Sequence, residues 1–183
     1  MLRGGVTALA GRLLLFVGLA AWTWHFASQP MAAAGNSVLH LVNLPFHEAG
    51  HILFTPLGQF MTALGGSLTQ ILVPLVCAVA LLVQTRDPFG ASVGVWWCGQ
   101  NFLDLAPYID DARSLQLVLL GGRTGAEVEG HDWEAILGQL GWLHLDHTLA
   151  RGARTMGFLL MVGALVWGAA WLWRRGASPG SDE

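Results

Sequence analysis

The chain has 183 residues, of which 54% are hydrophobic and 11% are charged. That balance excludes an ordinary soluble domain and indicates a membrane protein. All nine basic residues are arginines, the formal net charge is -3, and no basic stripe with interleaved aromatic residues is present. Nucleic acid is therefore not an expected partner. The two cysteines lie in apolar stretches without a CxxC motif, which favours buried thiols over a disulfide or a thiolate metal site.

The N-terminal part contains an apolar stretch at residues 13–27, directly after Arg12. This stretch is longer than the apolar core of a usual secretory signal, and its Trp22 and Trp24 suit a membrane interface. We therefore expect a membrane anchor that is retained.

Further along the chain, three apolar stretches are long enough to cross a bilayer, which takes about 20 helical residues. They lie at residues 67–84, 89–107 and 155–173. A shorter stretch at 38–54 enters the membrane with or without crossing it. We therefore predict an all-α, polytopic transmembrane bundle of four to five spans, an integral protein of a bacterial cytoplasmic membrane.

Two segments between these stretches differ from simple spans. "TPLGQFMTALGG", after residue 54, is apolar but rich in Gly and Pro, which predicts either a surface loop or a short re-entrant or sheet-like segment beside a site. "HDWEAILGQLGWL" has apolar residues at helical spacing and indicates an amphipathic helix on the membrane or on the bundle. The predicted organisation is an N-terminal anchor (1–36), a membrane core (37–113) that carries the motifs described next, a polar loop with an amphipathic helix (114–154), a C-terminal transmembrane helix (155–175) and a disordered tail (176–183).

His47, Glu48 and His51 form the pattern H-E-x-x-H inside the short apolar stretch. Residues four apart lie on one face of a helix, so both imidazoles can bind the same metal ion. Glu48 follows the first ligand, where a carboxylate can accept a proton from metal-bound water. Ionisable groups are costly in a membrane segment and are usually functional there. The motif predicts a Zn2+ (zinc) site with His47 and His51 as ligands and Glu48 as the catalytic base.

A catalytic zinc site uses three protein ligands and keeps one position open. The segment "GQNFLDLAPYIDDAR" offers a polar stripe at the end of an apolar span. Asp104 has the most apolar neighbours in this stripe, and we predict it as the third metal ligand. Asp110, Asp111 and His131 remain alternative ligands.

The order of these motifs resembles the site-2 protease family of intramembrane zinc metalloproteases. "FHEAGH" is similar to the family's zinc and base motif, which implies the two histidines as ligands and the glutamate as base. "LGGSLTQILVPL" stands where the family has Gly-Pro followed by Asn, with Ser67 and Gln70 in place of the Pro and the Asn. "NFLDLAPYIDDAR" stands where the family has Asn and then Leu-Asp-Gly, whose aspartate is the third ligand, although the glycine is missing here. The resemblance covers residues 40–113 and implies a minimal core or a divergent branch.

Motifs and resemblance together predict a zinc metalloendopeptidase that hydrolyses peptide bonds in membrane-embedded segments of a protein or peptide substrate. Asn101 or Gln70 would stabilise the oxyanion or the substrate backbone. One alternative is a non-proteolytic zinc-binding membrane protein, such as a transporter, a sensor or a pseudoprotease. Another is an assembly subunit whose polar residues pack against a partner without metal. The lipid bilayer is an expected partner in every case, and the oligomeric state is left open.

Overall fold

The computed structural model describes residues 2–177, and this part of the chain is helical apart from short turns and one long loop. No β-strand occurs among these residues, which confirms the all-α class. The helices are α1 (Leu2–Ser28), α2 (Val38–Phe54), α3 (Gln59–Val83), α4 (Pro88–Asp110), α5 (Asp132–Leu140) and α6 (Asp146–Ala177). Short 3-10 helices occupy Met31–Ala33, Thr55–Leu57 and Leu143–Leu145.

Helix α4 is the inner helix of the bundle, with 15 of its 23 residues buried. It packs against α6 and α3, and it meets both at small residues. A Cβ added to Gly99 would lie 2.7 Å from the carbonyl oxygen of Gly157 on α6, and one added to Gly94 would lie 2.8 Å from the Cβ of Ala78 on α3. Small residues at crossings let helix backbones approach closely, as is common in membranes. The polar residues of α4 therefore face other helices.

Helix α2 crosses α3 at Gly50 and Gly65. A Cβ added to Gly65 would lie 2.7 Å from the carbonyl oxygen of Gly50, and one added to Gly50 would overlap the carbonyl group of Gly65. Neither position can carry a side chain without moving a backbone. This close crossing places the H-E-x-x-H turn of α2 directly against α3.

Within residues 2–177, three helical segments are long and apolar enough to cross a membrane: Thr7–Ser28, Gln59–Val83 and Leu143–Gly176. They are compatible with an integral membrane protein. Helix α2 has only 17 residues, and α4 is long enough but less apolar. The predicted four to five spans are therefore not confirmed.

The re-entrant or sheet-like segment expected after α2 is not confirmed either. Thr55–Leu57 forms a single 3-10 turn, and Gly58 follows with a φ of 92°, a conformation that glycine adopts without strain. Helix α3 then begins at Gln59, so the glycine pair of the "LGGS" motif lies inside a helix. The described residues offer no strand edge there.

The predicted amphipathic helix is present as α5 in the polar loop. Its Ile136 and Leu137 are buried, and they belong to a cluster with Phe60 and Leu64 of α3. The helix therefore packs on the bundle. Residues 178–183 of the predicted disordered tail lie outside the described residues.

Candidate metal centre

His47 and His51 lie one turn apart on α2 and face the same point, as the motif predicts. Their ring centroids are 4.9 Å apart. Gly66 of α3 lies opposite both rings: a Cβ added there would be 2.6 Å from Nε2 of His47 and 2.7 Å from Nε2 of His51. Glycine at this position leaves the space that the two nitrogens need.

The acidic group beside the histidines is Asp132, the first residue of α5. Its Oδ2 lies 3.0 Å from Nε2 of His47 and 3.3 Å from Nε2 of His51. Two ligands bound at about 2.0 Å in a tetrahedral zinc site lie about 3.3 Å apart, so these separations fit such a site. The three ligand atoms all lie within 4.8 Å of one another. Among residues 2–177, His47, His51 and Asp132 are the one group of this kind, and it could hold a metal ion.

Hydrogen bonds on the far side of each ring determine which nitrogen carries the proton. Nδ1 of His47 lies 2.9 Å from Oε1 of Gln70, and Nδ1 of His51 lies 2.8 Å from the carbonyl oxygen of Thr62. Both partner atoms are acceptors, so each Nδ1 donates its proton, and each Nε2 presents a lone pair when it carries no proton of its own. Two lone pairs and the carboxylate of Asp132 then face one another. A cation between them satisfies all three acceptors at once.

The charge and position of Asp132 suit a metal ligand. Burial acts to raise the pKa of its carboxyl group, but the hydrogen bonds that His47 and His51 donate from a protonated Nε2 in the absence of metal outweigh burial and hold the pKa below its usual value. The backbone N–H of Asp132 donates to the hydroxyl oxygen of Tyr108 at 2.9 Å. Tyr108, the one tyrosine of the chain, therefore anchors the N-terminus of α5 to α4.

His131, an alternative ligand in the sequence analysis, is the N-cap of α5. Its ring is 1% exposed, and its Nδ1 accepts the backbone N–H of Glu134 at 3.2 Å. The proton must then be on Nε2, which lies 3.4 Å from Oδ2 of Asp111. Burial lowers the pKa of His131 by more than the negative charge of Asp111 raises it, so the ring is neutral. A capped Nδ1 and a protonated Nε2 leave no lone pair for a metal, and His131 instead holds the start of α5.

The structure differs from the sequence prediction at Asp104, which does not join the metal-binding group. Its Oδ2 accepts Nε2–H of Gln70 at 2.8 Å and Nδ2–H of Asn43 at 3.1 Å, and its Oδ1 lies 3.0 Å from Nδ1 of His40. Asp104 is therefore linked to the Nδ1 side of His47 through Gln70. Apolar neighbours in sequence suggested a ligand, but α2 and α3 surround its carboxylate with amide and imidazole groups.

The other two aspartates of this segment hold the polar loop. Asp110 lies 2.6 Å from Nδ1 of His147. Asp111 accepts the backbone N–H groups of Gln116 and Leu117, each at 2.9 Å. Both carboxylates therefore act at the end of α4, away from the Nε2 atoms of the H-E-x-x-H pair.

The predicted base, Glu48, and the predicted oxyanion groups, Asn101 and Gln70, differ in their hydrogen-bond partners. Glu48 is partly exposed, and its carboxylate makes no hydrogen bond or ion pair with any described residue. Asn101 is fully buried, its Nδ2 donates to the carbonyl oxygen of Trp97 on its own helix, and its Oδ1 has no partner among the described residues. Gln70 uses its Nε2 for Asp104 and its Oε1 for His47. Each NH₂ group has a second N–H, so an oxyanion role for either amide stays a prediction.

Sequence reasoning missed Asp132 and the anchoring role of Tyr108. The available signal was the helical pattern of "HDWEAILGQLGWL", which places Asp132 in the first turn of a helix that needs an apolar surface to pack on. Acidic residues are common in first turns because of the helix dipole, so the position alone did not single out a ligand.

No protein-family model matches the chain, and neither does any curated protein or solved structure. The functional assignment therefore depends on the geometry of this site.

Proposed function

We propose that this protein is an intramembrane zinc metallopeptidase in which His47, His51 and Asp132 hold the metal and Glu48 is the general base. The proposal is supported above all by the three acceptor atoms that face one another, with both Nδ1 protons engaged elsewhere. Two imidazoles and one carboxylate are also the ligand set of known zinc peptidases.

The residues around the metal position support hydrolysis. Bound zinc supplies Lewis-acid chemistry, since it polarises a peptide carbonyl and lowers the pKa of water towards neutrality. Glu48 has no partner among the described residues, so its carboxylate is free to take the proton of the attacking water and pass it to the leaving amine. The ring of Tyr108 lies 6.1 Å from that of His47, which places the hydroxyl group beside the site and suits it to orient the substrate.

The surroundings favour a substrate segment that lies in the membrane. Gln59–Val83, which carries Gly66 of the site, is one of the three segments that are apolar enough to cross. A substrate helix would have to unwind locally, because a helix engages the carbonyl groups that the reaction must reach. An unwound substrate would not pair as a strand with residues 55–66, because these residues are helical apart from Gly58.

Purified protein in lipid nanodiscs tests the proposal. Wild type should contain one zinc per chain by elemental analysis and should cleave a membrane-embedded reporter peptide. Glu48→Gln should retain zinc and lose cleavage by about 10²- to 10⁴-fold, the usual contribution of a general base. Glu134→Gln, an exposed carboxylate on α5, is the matched control and should retain both properties.

Two results would contradict the proposal in different ways. A wild type that holds zinc but cleaves nothing would favour the non-proteolytic zinc-binding alternative. A wild type that takes up no transition metal after reconstitution would exclude both readings and favour an assembly subunit.

A further inference from the structure

A chain of hydrogen bonds runs from His47 to His40 on the side of the His47 ring that faces away from Asp132. Nδ1 of His47 donates to Oε1 of Gln70 at 2.9 Å, and Nε2 of Gln70 donates to Oδ2 of Asp104 at 2.8 Å. Oδ1 of Asp104 lies 3.0 Å from Nδ1 of His40. Gln70 and Asp104 are each 4% exposed, so water does not compete for these contacts.

One end of the Gln70 amide donates hydrogen bonds and the other end accepts them. The orientation of this amide therefore determines which atom donates at each step between His47 and Asp104. The carboxylate of Asp104 only accepts, so the NH₂ end of the amide must face it. The carbonyl end must then face Nδ1 of His47, which can satisfy it only by carrying the proton. A turned amide would present NH₂ to Nδ1 and would favour the tautomer with its proton on Nε2. That tautomer cannot bind a metal ion through Nε2.

A second buried amide also points its donor at Asp104. Asn43 is fully buried, and its Oδ1 accepts Nε1–H of Trp97 at 2.9 Å. Indole nitrogen only donates, so the NH₂ end of Asn43 must point the other way, where it lies 3.1 Å from Oδ2 of Asp104 and 2.8 Å from Oε1 of Gln100. Two amide donors thus fix Asp104 as an acceptor, and both of its oxygens already have partners without a metal.

We infer that Asp104 is a positioning residue for the metal centre: through the Gln70 amide it holds His47 in the tautomer that presents Nε2 to the metal. The inference rests on the proposed metal site and does not depend on peptidase activity. A metal ligand would lie on the Nε2 side of the His47 ring, whereas Asp104 acts on the Nδ1 side. Groups of this kind change metal affinity by about 10- to 100-fold when they are removed.

Two substitutions of Asp104 separate positioning from ligation. Asp104→Asn keeps an oxygen for Gln70 and Asn43, and its NH₂ group can donate to Nδ1 of His40. We expect zinc affinity within about threefold of wild type, because the orientation of Gln70 is kept. Asp104→Leu keeps the branching and the number of heavy atoms of the side chain, with two methyl groups in place of the oxygens and no acceptor, and we expect zinc affinity to fall by about 10- to 100-fold. A direct ligand would lose affinity in both variants.

The tautomer itself is the readout that does not need metal. Nitrogen chemical shifts of ¹⁵N-histidine-labelled, metal-free protein report which ring nitrogen is protonated, and the His47 signal is assigned by its loss in His47→Gln. Wild type and Asp104→Asn should show a protonated Nδ1, whether or not Asp132 also holds a proton on Nε2, whereas Asp104→Leu should show a substantial population with the proton on Nε2 alone. Unchanged helical circular dichroism in both variants controls for misfolding.

A rescue variant tests the route through Gln70. Gln70→Glu in the Asp104→Leu background offers His47 a carboxylate that accepts Nδ1–H in either orientation, so the Nδ1–H form and most of the zinc affinity should return. The inference is wrong if Asp104→Asn loses zinc as Asp104→Leu does, if Asp104→Leu keeps the wild-type tautomer, or if the rescue fails in a folded protein. A wild type that shows the Nδ1–H form yet cleaves no peptide would contradict only the proposed enzyme activity.

Discussion

Oδ2 of Asp132 lies 3.0 Å from Nε2 of His47, although 85 positions separate the two residues along the chain. The contact exists because the polar loop turns back over α2 and packs α5 on α3. Asp132 and Asp104 therefore serve opposite sides of one imidazole ring: the first meets Nε2 directly, and the second reaches Nδ1 through Gln70. The loop is thus a structural part of the candidate metal centre.

Replacing Asp132 should abolish stoichiometric zinc binding. Asp132→Asn removes the negative charge and one of three ligand atoms, so its effect should exceed the roughly 10- to 100-fold losses seen for groups outside the ligand set. Zinc content after dialysis, measured by elemental analysis, checks this. Glu134→Gln, two residues later on the same helix, should keep full zinc content. Full retention by Asp132→Asn would mean that the third ligand lies elsewhere.

A methyl group at Gly66 should occupy the space in front of both histidines. The added Cβ would lie 2.6 Å from Nε2 of His47, so Gly66→Ala should displace the rings and remove zinc binding. We also expect a loss of about 1–3 kcal/mol in the free energy of unfolding from overpacking. Gly163→Ala on α6 is the matched control, because nothing lies within 4 Å of its added Cβ. If Gly66→Ala binds zinc with the wild-type dissociation constant, the rings do not face this glycine.

Zinc should stabilise the folded protein in proportion to site occupancy. At a free zinc concentration 100 times the dissociation constant, the gain in the free energy of unfolding is about 2.7 kcal/mol if the unfolded chain does not bind the ion. Denaturant unfolding of metal-stripped protein, with and without added zinc, measures the gain, and a chelator should reverse it. Asp132→Asn should show no dependence on zinc. An equal gain in that variant would point to binding outside the site.

Removing the Tyr108 hydroxyl should loosen Asp132 without removing a ligand. In Tyr108→Phe the backbone N–H of Asp132 loses its acceptor, whereas the ring still packs on His131, whose centroid lies 4.4 Å away. We expect zinc affinity to fall by about 10-fold, the lower end of the range for groups that orient a ligand. Competition with a fluorescent zinc chelator measures this. His131→Asn keeps an N-cap oxygen for α5 and should reduce zinc affinity less than Tyr108→Phe does. If His131→Asn reduces zinc affinity more, Asp132 is held in place mainly by His131 and not by Tyr108.

Apolar length predicted the three candidate spans, and the further span predicted at α4 is not confirmed. The stretch at 89–107 has the length of a span, and its alternating small and polar residues give no sign of which face meets lipid. In the folded chain most of α4 is covered by α3 and α6, and the amides of Gln100 and Asn101 are fully buried. A helix covered by other helices and a helix covered by lipid have similar amino-acid compositions. Only the tertiary packing shows which residues of α4 contact protein.

Local spacing was enough to identify the helix that carries His47 and His51 and to place both rings on one face, because a separation of four residues is only slightly more than one turn of 3.6 residues. It also marked residues 131–143 as an amphipathic helix. The choice between Asp104 and Asp132 depended on how a loop of about twenty residues closes back onto α2, and no local period encodes that closure. The identity of the third acceptor was therefore decided by long-range packing, since the apolar face of α5 finds its surface on α3 and brings the aspartate with it.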